Sequence, residues 1–251
     1  MFYWRFLALA LMSVSLTSTA LAGFTRVAAP TKGQPSQEQI LDNIYGANFA
    51  SAGWGFTSPT IQATRLQDFS RVRPQGMNEH DPASSDQVWA DGSYVASVKA
   101  RYAPLAGSVS FGYFSGASGG TYQKLFDVSG YGMNTTGSSG LVNGLGKDWR
   151  WGEYRTGPGG TNNYSSLQND NGGKDHMVAY RITGLADEKK WSTWLLFWEN
   201  TYGGKDNDFN DLVVEVKAAA MPAPGAVILG LVGLCLVGCY QRRRIDMPLP
   251  Q

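Results

Sequence analysis

Short stretches of alternating hydrophobic and polar residues run along most of the chain. Residues 93–103 (SYVASVKARYA) alternate Tyr, Ala and Val with Ser, Lys and Arg, which is the period of a strand with one buried face. Similar short apolar runs occupy residues 108–116, 121–130, 176–184, 192–200 and 211–216. Many short strands with glycine turns between them predict an all-β fold, a jelly-roll-like β-sandwich.

Two stretches lack this strand pattern. Residues 36–46 (SQEQILDNIYG) place Ile40, Leu41 and Ile44 on one face of a helix, and the opening Ser followed by Glu and Gln suits a helix start. Residues 129–171 are rich in Gly, Ser and Asn, with weak patterning, and predict long loops. The sequence therefore predicts one early helix and a loop-rich middle.

The composition narrows the class of protein. The chain has 251 residues, 43% of them hydrophobic, and a formal net charge of +1, which suits one globular domain and gives no basic surface for nucleic acid. Both cysteines, Cys235 and Cys239, lie in the last apolar run, and the two histidines are His80 and His176. The folded part is therefore expected to have no disulfide, and it is poorly supplied for zinc binding and for Cys–His or Ser–His catalysis.

The first residues have the features of a secretory signal peptide. In residues 1–22, Arg5 is the one charge, and an apolar run follows it. The segment ends in Ala-Leu-Ala, and signal peptidase requires such small residues. We expect cleavage between Ala22 and Gly23 and export through the Sec machinery.

The last residues have the features of a membrane anchor. Residues 226–240 are apolar and uncharged, and an arginine cluster follows at residues 242–244. Fifteen residues give about 22 Å of helix, short for a hydrocarbon core of ~30 Å, but the arginines favour a cytoplasmic end. We expect a single C-terminal transmembrane helix, with the middle of the chain outside the membrane.

The arrangement of residues 221–251 resembles the PEP-CTERM sorting signal, which combines a Pro motif, a short apolar helix and an Arg cluster. The matching residues are Pro222, Ala223, Pro224, Arg242, Arg243 and Arg244, with Ala in place of the usual Glu. The resemblance implies processing by a membrane exosortase, a transient stay in the inner membrane, and a final place on a bacterial cell surface or in the extracellular matrix of a biofilm. The predicted segments are a signal peptide (1–22), a lead-in segment (23–50), a β-sandwich (51–220) and the sorting signal (221–251).

An acidic loop precedes the last predicted strand. Asp206, Asp208 and Asn210 alternate in it, and Asp211 follows. Alternate side chains converge when a loop curls, and calcium takes six to eight oxygen ligands. An EF-hand is excluded because the sixth and twelfth positions, counted from Asp206, hold Asp211 and Lys217 rather than Gly and Glu. An Asx-rich turn without an ion is the alternative.

The stretch WEN…GGKDNDFNDLVVEV resembles the "ED…GGDxDFNDxV" signature of exported bacterial β-domains of undefined function, and residues 175–178 match their "DHMV" strand. In that family the acids are taken as calcium ligands. The resemblance implies that the ligands here are Glu199, Asp206, Asp208 and Asp211, with Asn210 in the same loop. Asp175 is a second candidate, whereas His176 is expected to pack or to form hydrogen bonds.

Two other functions remain open from the sequence. Trp149, Trp151 and Tyr154 are candidates for a platform on which a carbohydrate-binding module would stack an exopolysaccharide. Asp148 and Glu153 are candidates for the two carboxylates of a polysaccharide hydrolase. The main expectation is a non-enzymatic, calcium-binding matrix or surface protein with a structural or adhesive role.

Overall fold

The computed structural model of the protein describes residues 24–68, 71–72, 88–90, 92–103, 107–146, 148–157, 160–199 and 206–219. The predicted signal peptide with its cleavage site, and the predicted sorting signal with its transmembrane helix, lie outside these residues. Within the described ranges, no helix is long and apolar enough to cross a bilayer.

Two sheets form the fold. The first has seven strands, in the spatial order β1 (Ala50–Ala52), β2 (Gly55–Thr57), β3 (Gln62–Arg65), β11 (Met177–Thr183), β12 (Trp191–Trp198), β13 (Leu212–Ala219) and β6 (Tyr94–Arg101). The second has the order β4 (Arg71–Val72), β5 (Val88–Ala90), β9 (Asp148–Gly157), β7 (Val109–Ser115) and β8 (Tyr122–Val128), with β10 (Gly160–Ser165) paired to β9. Neighbouring strands are antiparallel except β4 and β5. The predicted all-β class is confirmed.

Tryptophan side chains from both sheets fill the space between them. The indoles that are fully buried there are those of Trp89, Trp149, Trp151, Trp194 and Trp198. The ring centroids of Trp89 and Trp194, which belong to different sheets, are 5.2 Å apart. Contacts of this kind join the two sheets face to face as a sandwich.

A helix covers the outer face of the first sheet. Helix α1 (Gln37–Tyr45) begins at Ser36, whose hydroxyl accepts a hydrogen bond from the Gln39 amide, and it buries Ile40 and Leu41. These side chains pack in one cluster with residues of β11, β12 and β13. The helix predicted within residues 36–46 is confirmed, and it makes the first sheet a layer that is buried on both faces.

The loops predicted for residues 129–171 are only partly correct. Strands β9 and β10 lie within that stretch and form a hairpin in which Gly160 pairs with Gly157. Strand β9 is hard to recognise in the sequence. Its inward-facing tryptophans alternate with Arg150 and Gly152, and this combination is not typical of the exposed face of a strand. The short 3-10 helix Gln168–Asn171 ends this part of the chain.

Candidate metal centre

Three carboxylates converge where the chain leaves β12 and enters β13. One oxygen each from Glu199, Asp206 and Asp208 lies within 4.8 Å of the other two. Glu199 and Asp208 are buried, and Asp206 is half-buried. Oxygens that ligate one calcium ion at 2.3–2.6 Å lie less than about 5 Å apart. The three carboxylates therefore have a spacing that fits a single cation.

The backbone of the loop is responsible for this convergence. Asn207 and Phe209 adopt the left-handed conformation, with φ angles of 49° and 52°, which is uncommon for residues other than glycine. The Phe209 side chain is buried in the cluster beneath helix α1, so packing holds the conformation in place. With alternate residues left-handed, the loop curls, and Asp206 and Asp208 face the same centre.

The segment before helix α1 lies over the acidic loop. The Thr31 amide donates to Asp208 Oδ2 over 3.1 Å, and the Thr31 hydroxyl donates to Asp206 Oδ2 over 3.0 Å. The Ala28 amide donates to the carbonyl of Asn207 over 2.8 Å. The sequence predicted this segment only as a lead-in. No local signal could have revealed contacts between residues about 175 positions apart.

Asn210 and Asp211, the other two predicted ligands, have different surroundings. The buried Asn210 amide nitrogen donates to the carbonyl of Pro35 and to Asp208 Oδ2, and within the described residues its Oδ1 accepts no hydrogen bond. Asp211 is not among the converging carboxylates, and its charge interacts with that of Arg101. The structure thus places Asn210 beside Asp208, whereas Asp211 lies outside the group of three converging carboxylates.

The surroundings of Asp208 disfavour the negative charge of its carboxylate. Burial raises the pKa of Asp208 above its usual value, and the negative charges of Asp206 and Asp211 raise it further. The hydrogen bond from the Thr31 amide opposes these effects. A bound cation would remove the repulsion and compensate for the burial.

His176 fixes the position of Glu199. Its Nδ1–H donates to the carbonyl of Glu199 over 2.6 Å, and the Glu199 amide donates back to the carbonyl of His176 over 2.9 Å. Tyr164 stacks on the imidazole, with ring centroids 4.0 Å apart. Burial lowers the pKa of His176, which favours the neutral ring. The predicted packing and hydrogen-bonding role of His176 is confirmed.

Asp175 belongs to a neighbouring acidic pair. Burial, and next the charge of Asp68, raise the pKa of Asp175 to about 7. Asp68 is buried and accepts hydrogen bonds from the amide and the hydroxyl of Thr25, over 2.6 and 2.9 Å. Arg65 contributes a positive charge nearby. Because this pair already has a cation beside it, it is a less suitable metal site than the loop.

The residues named for the two alternative functions do not form the expected sites. Trp149 and Trp151 are 0% exposed, so the predicted sugar-stacking platform is wrong. Asp148 and Glu153 are five positions apart on β9, so they point to opposite faces of the sheet and lie roughly 16 Å apart along it. They do not face each other across a substrate, so the predicted carboxylate pair is wrong as well.

Comparisons with known proteins add little to this geometry. No protein-family model matches the chain, and no curated protein matches it. Among solved structures, the chain is similar to a Chromobacterium violaceum lectin in complex with alpha-methyl-fucoside, with 18% identity and a TM-score of 0.32. The match covers 53% of this chain and 91% of the lectin. A likeness this weak carries no argument about function.

Proposed function

We propose that this protein is an exported, non-enzymatic β-sandwich that binds calcium and has a structural or adhesive role on a cell surface or in an extracellular matrix. The observation that carries the calcium proposal is the convergence of Glu199, Asp206 and Asp208 within 4.8 Å. A hard cation with flexible coordination suits carboxylate and amide oxygens, and Asn210 adds a buried amide oxygen beside them.

The proposed ion joins parts of the chain that are distant in sequence. Glu199 follows β12, Asp206 and Asp208 precede β13, and Thr31 connects both aspartates to the segment before helix α1. Without the ion, carboxylate repulsion opposes this arrangement. Calcium would therefore stabilise the loop and the docking of the N-terminal segment together, and its role would be structural.

Calcium is expected to raise the thermal unfolding midpoint of the purified full-length protein. At calcium about a hundred times its Kd, binding to the folded state alone stabilises by about 2.7 kcal/mol, or about 5–10 °C for a domain of this size. Asp206→Ala is expected to abolish the shift, because it removes a carboxylate from the centre. The measurement is a melting curve by circular dichroism in calcium and in chelator, with mild detergent in every sample.

Asp127→Ala is the matched control for this experiment. Asp127 is an exposed acid on β8 that pairs with Lys124, far from the loop in sequence, so the variant should keep the full calcium shift. An unchanged midpoint in the wild-type protein would leave the loop as an Asx-rich turn. An equal shift in Asp206→Ala would place the ion elsewhere.

The proposal of export rests on the ends of the chain. The apolar run and small residues before Gly23, the Pro motif at residues 222–224 and the arginines at residues 242–244 support delivery by Sec and processing by an exosortase.

We also propose that the sandwich is jelly-roll-like. In the first sheet, strands made early in the chain (β3 and β6) pair with strands made late (β11 and β13), which supports this proposal.

The proposal of export is tested by expressing the protein in a bacterial host that has an exosortase and measuring the intact mass of the protein recovered outside the cells. We expect a mature chain that begins at Gly23 and ends near Pro222–Pro224. Replacing Arg242, Arg243 and Arg244 with Gln should leave the sorting segment attached, because the positive cluster that holds this end in the cytoplasm is lost. If the wild-type protein recovered outside the cells had the mass of the full-length chain, processing at both ends would be contradicted.

A further inference from the structure

An exposed tryptophan stands at the tip of the first hairpin. Ala52 pairs with Gly55, so Gly53 and Trp54 form a two-residue turn, and Gly53 has the positive φ that such turns require at this position. The Trp54 side chain is 64% exposed. Most of this large aromatic side chain is therefore accessible to a ligand.

The indole of Trp54 is held in one orientation. It stacks on the Phe24 ring with centroids 4.7 Å apart and an interplanar angle of 12°. The Arg65 guanidinium lies over the Phe24 ring, 5.6 Å from its centroid, and this cation–π contact helps to hold the ring in place. One face of the indole is therefore occupied and the other is open. A ligand that stacks on the open face would meet a pre-organised surface.

A groove of about 550 Å³ lies beside the indole. This volume is within the range of about 300–1,000 Å³ that small-molecule sites occupy. Its lining combines aromatic surface with uncharged hydrogen-bonding side chains, which are those of Thr57, Gln62, Thr64 and Gln67. Arg65 is the one charged residue of the lining, and it is buried.

We propose that this groove binds a saccharide. A sugar ring presents a C–H face, which packs on an indole, and an edge of hydroxyls, which both donate and accept hydrogen bonds. The Gln62 and Gln67 amides and the Thr64 hydroxyl also donate and accept, so they match that edge. An apolar peptide or a lipid chain would cover these groups without partners, which is unfavourable. No acidic loop residue lines this groove, so the site is independent of the proposed calcium.

If the groove binds a saccharide, binding should depend on Trp54 and not on other exposed aromatic side chains. Retention of the full-length protein on gels that contain a neutral β-glucan, a galactomannan or a uronate polymer identifies the polymer that binds. Trp54→Ala is expected to weaken that binding by at least about tenfold, the usual size of a lost aromatic stack, and Trp54→Phe by less. Tyr131→Ala is the matched control, since Tyr131 is 47% exposed on another part of the surface, and it should bind normally.

Quenching by iodide gives a second measurement. Five of the other described tryptophans are fully buried and Trp191 is partly buried, so the difference in quenching between wild type and Trp54→Ala isolates the emission of Trp54, which the bound polymer should protect. Retention by none of the three polymers, or equal retention of Trp54→Ala and wild type, would overturn the proposal. The calcium shift in melting temperature should be the same in Trp54→Ala, so failure of one proposal is distinguishable from failure of the other.

Discussion

Trp151→Ala is expected to lower the free energy of unfolding by about 3–5 kcal/mol, the cost of truncating a fully buried aromatic residue. The Trp151 ring stacks on Phe111 with centroids 5.1 Å apart and meets Trp149 edge to face at 4.4 Å. A cavity in this position would loosen the contact between the two sheets. Urea unfolding followed by circular dichroism measures the change without relying on tryptophan emission.

Trp54→Ala is the matched control for that truncation. It removes the same side chain from an exposed position, so the loss should be about 1 kcal/mol or less, mainly from the stack on Phe24. The comparison separates a core tryptophan from a surface one. A Trp151→Ala protein of normal stability that fails to bind polysaccharide would restore the platform that we excluded.

Arg150→Met is expected to cost about 2–4 kcal/mol, because it removes a fully buried guanidinium and leaves the carbonyls that accept from it without their donor. Arg150 is fully buried and forms an ion pair with Asp170, and it donates to the carbonyls of Gly116 and Gly119. It therefore joins the β7–β8 turn to the 3-10 helix. Burial lowers its pKa to about 10, so it stays charged at neutral pH.

Lys124→Met is the control for the loss of the Arg150 side chain. Lys124 pairs with Asp127 on the exposed face of β8, and pairs of this kind contribute about 0–1 kcal/mol. Both variants lose a cation and gain a Met side chain. The difference between their urea midpoints therefore measures how much more a buried cation contributes to stability than an exposed one. A loss below about 1 kcal/mol for Arg150→Met would mean that other contacts hold these loops.

Local patterns in the sequence predicted the elements whose geometry is local. The helix start at Ser36 depends on neighbours three positions away, and the alternation of β13 depends on period two, so both are readable. The same holds for Asp206 and Asp208, because a curled loop brings alternate side chains together. Glu199 was identified through the resemblance to a known signature.

Features set by distant pairing could not be predicted. Trp149 and Trp151 do share one face of a strand, but only the packing of the second sheet decides that this face is internal. Ala100 follows the inward pattern of β6 in the sequence, yet it lies on the outer face, because the pairing of β6 with β13 shifts between Val213 and Val214. A bulge of this kind depends on the partner strand.

The order of strands in the first sheet constrains when this protein can fold. Its central strands, β11, β12 and β13, come from residues 177–219, whereas β3 and β6 on either side of them are made much earlier. When they emerge, β3 can pair with β2 but not yet with β11, β6 cannot yet pair with β13, and Thr31 finds no loop to bind. Contacts between such distant residues form late and slowly. The first sheet can therefore be completed only after the segment through residue 219 has been synthesised.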